Sequence, residues 1–374
     1  MSITIKEVIT KGDLKKFIKF PFELYKGNKY WVPPLIFDDV KTLSKDKNPA
    51  FEFCDARYWL AYKDGKIAGR IAAIINHKFN ETWNQKAIRF GWVDFIDDEN
   101  VAAALINEVE KWGKEKGLEY IHGPLGFTDF DPEGLLIEGF EELSTFGAIY
   151  NYPYYEKHIE KLKYTKDVDW IEFNVETPRE LNEKVERIAG VVAQRNKLRM
   201  LEVKKAKDLL PYANEIFHLI NDAYKDLYGF VSLTDKQIEM YTKAYFGFIK
   251  PGYVPVILDE EGRVAAFGIT MPSLSKAMQR ANGSLFPFGF IHILNAMKNN
   301  PDADLYLTAV RRDLQNKGVN SMLINEVNKV FINNNIKFVE TNRELEENSK
   351  IQAQWRFYNS RQHKRRRCYK KNLA

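Results

Sequence analysis

An α/β chain of two similarly built halves is predicted by three observations. The order strand, helices, hairpin, strand, helix, strand, helix, strand occurs twice along the 374 residues. Short runs of strand-type alternation and amphipathic helical stretches follow one another in both copies. A length of 374, at about 150 residues per domain, gives about two domains. Apolar residues make up 45% and aromatics 14%, which excludes a disordered or low-complexity chain.

In the first half, residues 3–9 alternate as a strand, and residues 13–25 carry Leu14, Phe17, Ile18 and Leu24 at helical spacing. Trp31-Val32-Pro33-Pro34 breaks the pattern. Residues 58–62 and 67–75, joined by Lys63-Asp64-Gly65-Lys66, read as a hairpin, and 89–96 as the next strand. Residues 100–116 place Leu105, Val109 and Trp112 on one helical stripe, with Gly117 as the stop. A strand at 118–122, a short helix at 153–162 and a closing strand at 169–175 complete this half. A connecting helix from Pro178 puts the boundary between domains at 1–176 and 177–374.

The second half repeats the order. Residues 198–204 form a strand, 209–227 and 235–246 helices, and 254–258 with 264–271 a hairpin around Asp259-Glu260-Glu261-Gly262. A helical insertion at 274–299 precedes strand 304–310, helix 317–334, strand 337–341, helix 349–359 and a basic end. The likeness of the halves is one of element order, without a residue-level repeat.

The net charge is 56 − 51 = +5, and seven Lys/Arg with no acid lie between Arg361 and Lys371, leaving −2 for the rest. Cys54 and Cys368 cannot build a disulfide framework, lie in no CxxC pair and have no obvious His partner, so neither a zinc site nor covalent catalysis is expected. The N-terminus lacks a signal-peptide apolar core and the apolar runs are too short to span a bilayer, so a cytoplasmic protein is expected.

Chemistry concentrates at Val310-Arg311-Arg312-Asp313-Leu314-Gln315-Asn316-Lys317-Gly318-Val319-Asn320, where a strand enters a basic turn before a helix. Such a helix start aims free N–H groups at an anion, Gly318 permits close backbone approach, and Arg311, Arg312 and Lys317 add charge. The alternative is an ordinary turn with solvated charges. Gln315-Asn316-Lys317-Gly318-Val319-Asn320 resembles the Gln/Arg-x-x-Gly-x-Gly/Ala motif of the GNAT superfamily of acyl-CoA N-acyltransferases, departing from it at Asn320. The resemblance implies two GNAT-like domains, each a central mixed sheet flanked by helices, as in tandem chains and in Fem-type transferases. It implies acetyl-CoA or another acyl-CoA as donor, held by Val310, Arg311, Arg312, Gln315, Asn316, Lys317, Gly318, Val319 and Asn320, and transfer to a small-molecule or peptide amine; with no Cys or His cluster in the sequence, no metal is expected.

The matching stretch of the first half, 93–103, has neither Gly nor a basic residue; Asp97, Asp98 and Glu99 cap their own helix and would repel a pyrophosphate. The first half is therefore expected to be a partner domain. Tyr358 falls in the helix where the family often carries a Tyr, which implies the acid for a departing thiolate; the alternative is packing against the sheet. Glu340, at the preceding strand end beside Asn342, is the candidate base, or a surface carboxylate. Tyr306 and Thr308 share one face of their strand, with no acid on it.

Within Gly123–Gly134, Asp129, Asp131 and Glu133 imitate the start of a calcium loop, but Phe140 stands where its final Glu would be needed. These acids either receive a cationic amine or hydrogen-bond nearby backbone in a rigid turn. Residues 284–294 are apolar and aromatic, offering a channel wall, a partner contact or ordinary core, with His292 packed among isoleucines. The basic end reads as an edge strand with solvated charges or as an RNA-binding tail. An acyl-CoA-dependent N-acyltransferase is thus expected; the alternatives are a Fem-type aminoacyl-tRNA-dependent transferase and a non-catalytic binding protein on the same scaffold.

Overall fold

A computed structural model describes residues 2–373. In the first half, β1 (Ile3–Glu7), α1 (Lys11–Leu24), α2 (Ile36–Thr42), β2 (Cys54–Lys63), β3 (Lys66–Asn76), α3 (His77–Thr82), β4 (Ala87–Phe95), α4 (Glu99–Glu115) and β5 (Tyr120–Gly123) follow one another. The short β6 (Leu135–Glu138), α5 (Tyr154–Lys161) and the long β7 (Thr165–Glu176) come next. The second half has α6 (Glu183–Asn196), β8 (Arg199–Met200), α7 (Ala213–Tyr224), α8 (Asp235–Tyr245), β9 (Val256–Leu258) and β10 (Val264–Pro272). It continues with α9 (Ser275–Ala281), α10 (Gly289–Lys298), β11 (Asp302–Val310), α11 (Val319–Asn333), β12 (Phe338–Glu340), β13 (Glu344–Leu345), α12 (Ser349–Gln352) and β14 (Ser360–Asn372).

One continuous sheet joins the halves in the order β1-β2-β3-β4-β5-β14-β7-β12-β11-β10-β9-β8, with β6 added to β14 and β13 to β7. The path is nearly symmetric. Five strands lead inward from each edge, and the last strand of the chain pairs with the first half while β7 pairs with the second. The sheet therefore runs unbroken past residue 176.

The expectation of an edge strand at the basic end is corrected here. β14 lies between β5 and β7, where neighbours on both sides exclude water, and its cations meet acids. Lys364 Nζ is 2.8 Å from Glu340 Oε1, Arg367 Nε 2.8 Å from Asp169 Oδ1, Arg365 Nη1 2.8 Å from Glu346 Oε2, and Arg366 pairs with Glu172. Arg361 pairs with Glu142, Lys371 with Glu110, and Lys370 lies over the Tyr120 ring. That pairing leaves little free charge for an RNA. The apolar run 284–294 is core only on its inner side, at Ile293: Phe286 is 77% and Phe288 68% exposed, and His292 is half-buried on α10.

In each half two parallel strands touch over three residue pairs and then separate: Ala87–Arg89 beside Tyr120–His122, and Asp302–Asp304 beside Phe338–Glu340. The first gap is plugged by the chain that follows β5, since Leu125 N donates to Phe90 O at 2.8 Å and a Cβ at Gly91 would collide with the Leu125 carbonyl. The second gap stays open and becomes the main cleft.

Candidate active site

The cleft has a volume of about 540 Å³. Its walls are the diverging part of β11, the start of α11, the segment around β13, and two acids from the loop after β5. A register shift in the β10–β11 pairing sets Ile269 opposite Leu307 and Thr270 opposite Leu305, so Tyr306 bulges out of the ladder. Contrary to the sequence expectation, an acid does accompany Tyr306: its hydroxyl donates to Asp304 Oδ2 at 3.2 Å. Burial, reinforced by the charge of Glu340, pushes Asp304 up to about 7.

Val310, Gln315, Asn316, Gly318, Val319 and Asn320 line the cleft. Asn316 at φ 60° and Gly318 at φ 81° turn the chain into α11 through two left-handed residues. No side chain caps α11, in contrast to α4, whose first amides at Asn100 and Val101 are taken by Asp98 Oδ1. Arg311 and Arg312 do not reach the cleft. Arg311 is held by Asp259 at 2.7 Å and Asp313 at 2.8 Å, and Arg312 by Asp226 at 2.6 Å. Lys317 is exposed outside the cleft wall. A Cβ at Gly318 would stand 3.1 Å from Val192 Cγ2 on α6, so a side chain there strains the loop before it meets any ligand. In the first half, Asp97 pairs with His158, Asp98 with Lys63 and Glu99 with Lys161.

Tyr358 lines the cleft, and its hydroxyl oxygen accepts a hydrogen bond from Asn328 Nδ2 at 2.9 Å, which leaves the phenolic proton available for donation. Burial raises its pKa, opposed by the Asn328 bond. Glu340 lies elsewhere. Val339 and Thr341 face the cleft, whereas Glu340, between them on the strand, turns to the other face and binds His363 and Lys364. Asp129 and Glu133 face the cleft; Asp131 instead accepts from Phe127 N at 2.8 Å and Thr128 N at 3.1 Å, fixing the turn. Burial raises the pKa of both Asp129 and Glu133, opposed chiefly by the charge of Arg89 at Asp129 and of Arg343 at Glu133.

The sequence reading missed Glu344. It lines the cleft, its Oε1 accepts from Trp355 Nε1 at 2.8 Å, and its buried Oε2 has no partner. Burial pushes it up to about 7 against the indole bond. Arg343 Nη1, beside it in sequence, is also buried and unpaired. Only the acid-rich string around them, Glu344 through Glu347, marked the segment, and it reads as solvated until β13 docks it on β7.

Cys368 does have a histidine neighbour. His122, Asp167 and Cys368 bring three ligand-type atoms within 4.8 Å of one another. The Tyr228 hydroxyl donates to Asp167 and lies 3.2 Å from His122 Nδ1 and 3.6 Å from Cys368 Sγ. Burial pushes Cys368 above the ordinary thiol range and His122 down to about 4, so this cluster is neutral apart from Asp167.

No protein-family model matches the chain. It is 29% identical over 376 residues to Protein YghO of Escherichia coli (strain K12), covering 99% of this chain and 95% of that protein. It is 25% identical over 303 residues to the Bacterial ceramide synthase of Caulobacter vibrioides (strain NA1000 / CB15N), covering 79% and 77%. A solved tandem GNAT protein from the clavulanic acid biosynthesis pathway superposes with a TM-score of 0.57 at 10% identity, over 100% of this chain and 99% of that one. A GCN5-related N-acetyltransferase from Sphaerobacter thermophilus gives 0.53 at 10% identity, over 99% and 96%. At such identities the likeness is one of fold, and the two half-sheets with their diverging strand pairs agree with it: the chain has the tandem GNAT fold.

Proposed function

We propose that this protein is an acyl-CoA-dependent N-acyltransferase with a single donor site, in the cleft between β11 and β12. The observation that carries the reading is the convergence, in one cleft, of an uncapped helix start at Gly318, an unpaired buried carboxylate oxygen at Glu344 and the available proton of Tyr358. The amides at the start of α11 and the backbone of Gln315–Asn320 would hold a pyrophosphate without help from Arg311 or Arg312. Glu344 would accept the proton of the acceptor ammonium, a role suited to a carboxylate that titrates near neutrality. Tyr358 would give its proton to the departing thiolate. Asp129 and Glu133 would draw the cationic acceptor into the cleft from the side of the first half.

The acceptor is an amine, and the relative named for ceramide synthesis suggests a class for it. A ceramide is the amide of a long-chain amino alcohol, and the cleft walls at Ile269, Leu305, Leu307, Leu323 and Ile324 are apolar enough to take alkyl chains. In the first half the plugged gap and the paired acids Asp97–Glu99 argue against a second donor site. Titration calorimetry with acetyl-CoA and with a long-chain acyl-CoA tests the reading: one donor per chain is expected. Absence of heat with both donors, or a stoichiometry of two, would refute it.

A further inference from the structure

The exposed aromatic run between β10 and β11 is unlike the rest of the surface. Phe286, Phe288 and Leu294 are 77%, 68% and 62% exposed, and Phe290 and Ile291 share the outer face of α10 with Leu294. The Phe286 and Phe290 rings stand 5.9 Å apart, so these side chains form one patch. The inner side of the same insertion is anchored, with Ile293, Met278 and Leu274 packed on Val32 and Leu35 of the first half. The patch is thus held firmly while its apolar face has no cover.

Charge says what would cover it. From Val264 to Pro301 no Asp or Glu occurs, against Lys276, Arg280 and Lys298. Lys276 is tied to Asp302, and Lys298 lies one turn beyond Leu294 on α10. A second copy of this chain meeting the patch about a two-fold axis would set these cations against themselves, with no acid in the segment to pair them. An anionic lipid surface accommodates both features, taking the aromatic rings at its acyl boundary and the cations at its headgroups.

We infer that residues 284–298 form a wedge that docks this protein on the surface of an anionic membrane. The wedge connects two strands of the cleft wall, since four residues separate Thr270 from α9 and α10 returns to β11, whose Leu305 lines the cleft. No helix among the described residues is long and apolar enough to cross a membrane, so attachment is to one leaflet.

Vesicle co-sedimentation tests this, with phosphatidylcholine alone and with equal parts of phosphatidylcholine and phosphatidylglycerol. The full chain should bind the mixed vesicles and lose affinity as salt rises. Phe286→Ser/Phe288→Ser should weaken binding at least tenfold, since each ring moved out of water contributes on the order of tenfold. Arg280→Glu/Lys298→Glu should flatten the salt dependence. Both variants alter surface residues, and unchanged thermal unfolding verifies that they fold. No vesicle binding by the wild type, or binding that the phenylalanine variant leaves intact, overturns the inference. So does a dimer in sedimentation velocity that the phenylalanine variant dissolves while vesicles stay unbound.

Discussion

Replacing Arg366 with Met removes the most deeply buried cation of β14. Arg366 is 0% exposed; its Nε pairs with Glu172 and its Nη1 donates to the Ile149 carbonyl. Glu172 is also buried, and without Arg366 the nearest ion-pair partner left to it is Lys364, 3.8 Å away and closer still to Glu340. Breaking one side of such a buried pair costs about 3–5 kcal/mol, a large share of the roughly 5–15 kcal/mol that holds a domain folded. Arg361→Met, which removes only the half-exposed pair with Glu142, should cost under about 1 kcal/mol. Burial alone would raise the pKa of Glu172, but Arg366 first and Lys364 second outweigh it and hold the carboxyl below its usual value. A carboxyl whose folded pKa is depressed stabilises the fold above its unfolded pKa of about 4.5, and that contribution fades as pH falls through the folded value. The variant, with a poorly paired carboxylate, should instead recover part of its loss as acid neutralises Glu172. Urea unfolding followed by tryptophan fluorescence, run near neutrality and again at mildly acidic pH, measures both effects. Arg366→Met/Glu172→Leu should regain most of the lost stability, since a packed apolar pair replaces the ions. If Arg366→Met unfolds within about 0.5 kcal/mol of wild type, the placement of β14 in the middle of the sheet is wrong.

Gly318→Val should lower acyl-CoA affinity and also cost about 1–2 kcal/mol of stability, because its backbone is left-handed and Val192 crowds the new Cβ; Gly318→Asn keeps the Val192 contact but tolerates the left-handed backbone, so it should lose less stability than Gly318→Val while calorimetry still reads the binding loss. Glu344→Gln should lower kcat on the order of 100-fold or more and abolish the rise of kcat/KM through about pH 7; a pH–rate profile with the rise intact would assign the base to another group. Asp129→Asn should raise the acceptor KM with little change in stability. Asp131→Ala should do the reverse, costing about 1–3 kcal/mol in thermal unfolding because the buried amides of Phe127 and Thr128 lose their acceptor.

Local spacing was enough for much of this architecture. The hairpin of 58–62 and 67–75 with its Asp-Gly turn, the stripe Leu105–Val109–Trp112 and the strand–Gly318–helix passage each state their own conformation, because the interactions behind them span a few residues. The repeated element order likewise carried the tandem fold. Elements of two to six residues, such as α3, β6 and β13, left too short a period to read, and β13 is what places Glu344 in the cleft. The fate of charged residues was decided at long range. Glu340 and Glu344 look alike in sequence, yet one turns to Lys364 on the far face and the other to the cleft. The basic end looked solvated because its partners, Asp169, Glu172 and Glu340, come from β7 and β12 and reach it only when β14 crosses into the middle of the sheet. Periodicity reports which side chains share a face. Which face is buried, and against what charge, follows from strand pairing between residues some two hundred positions apart.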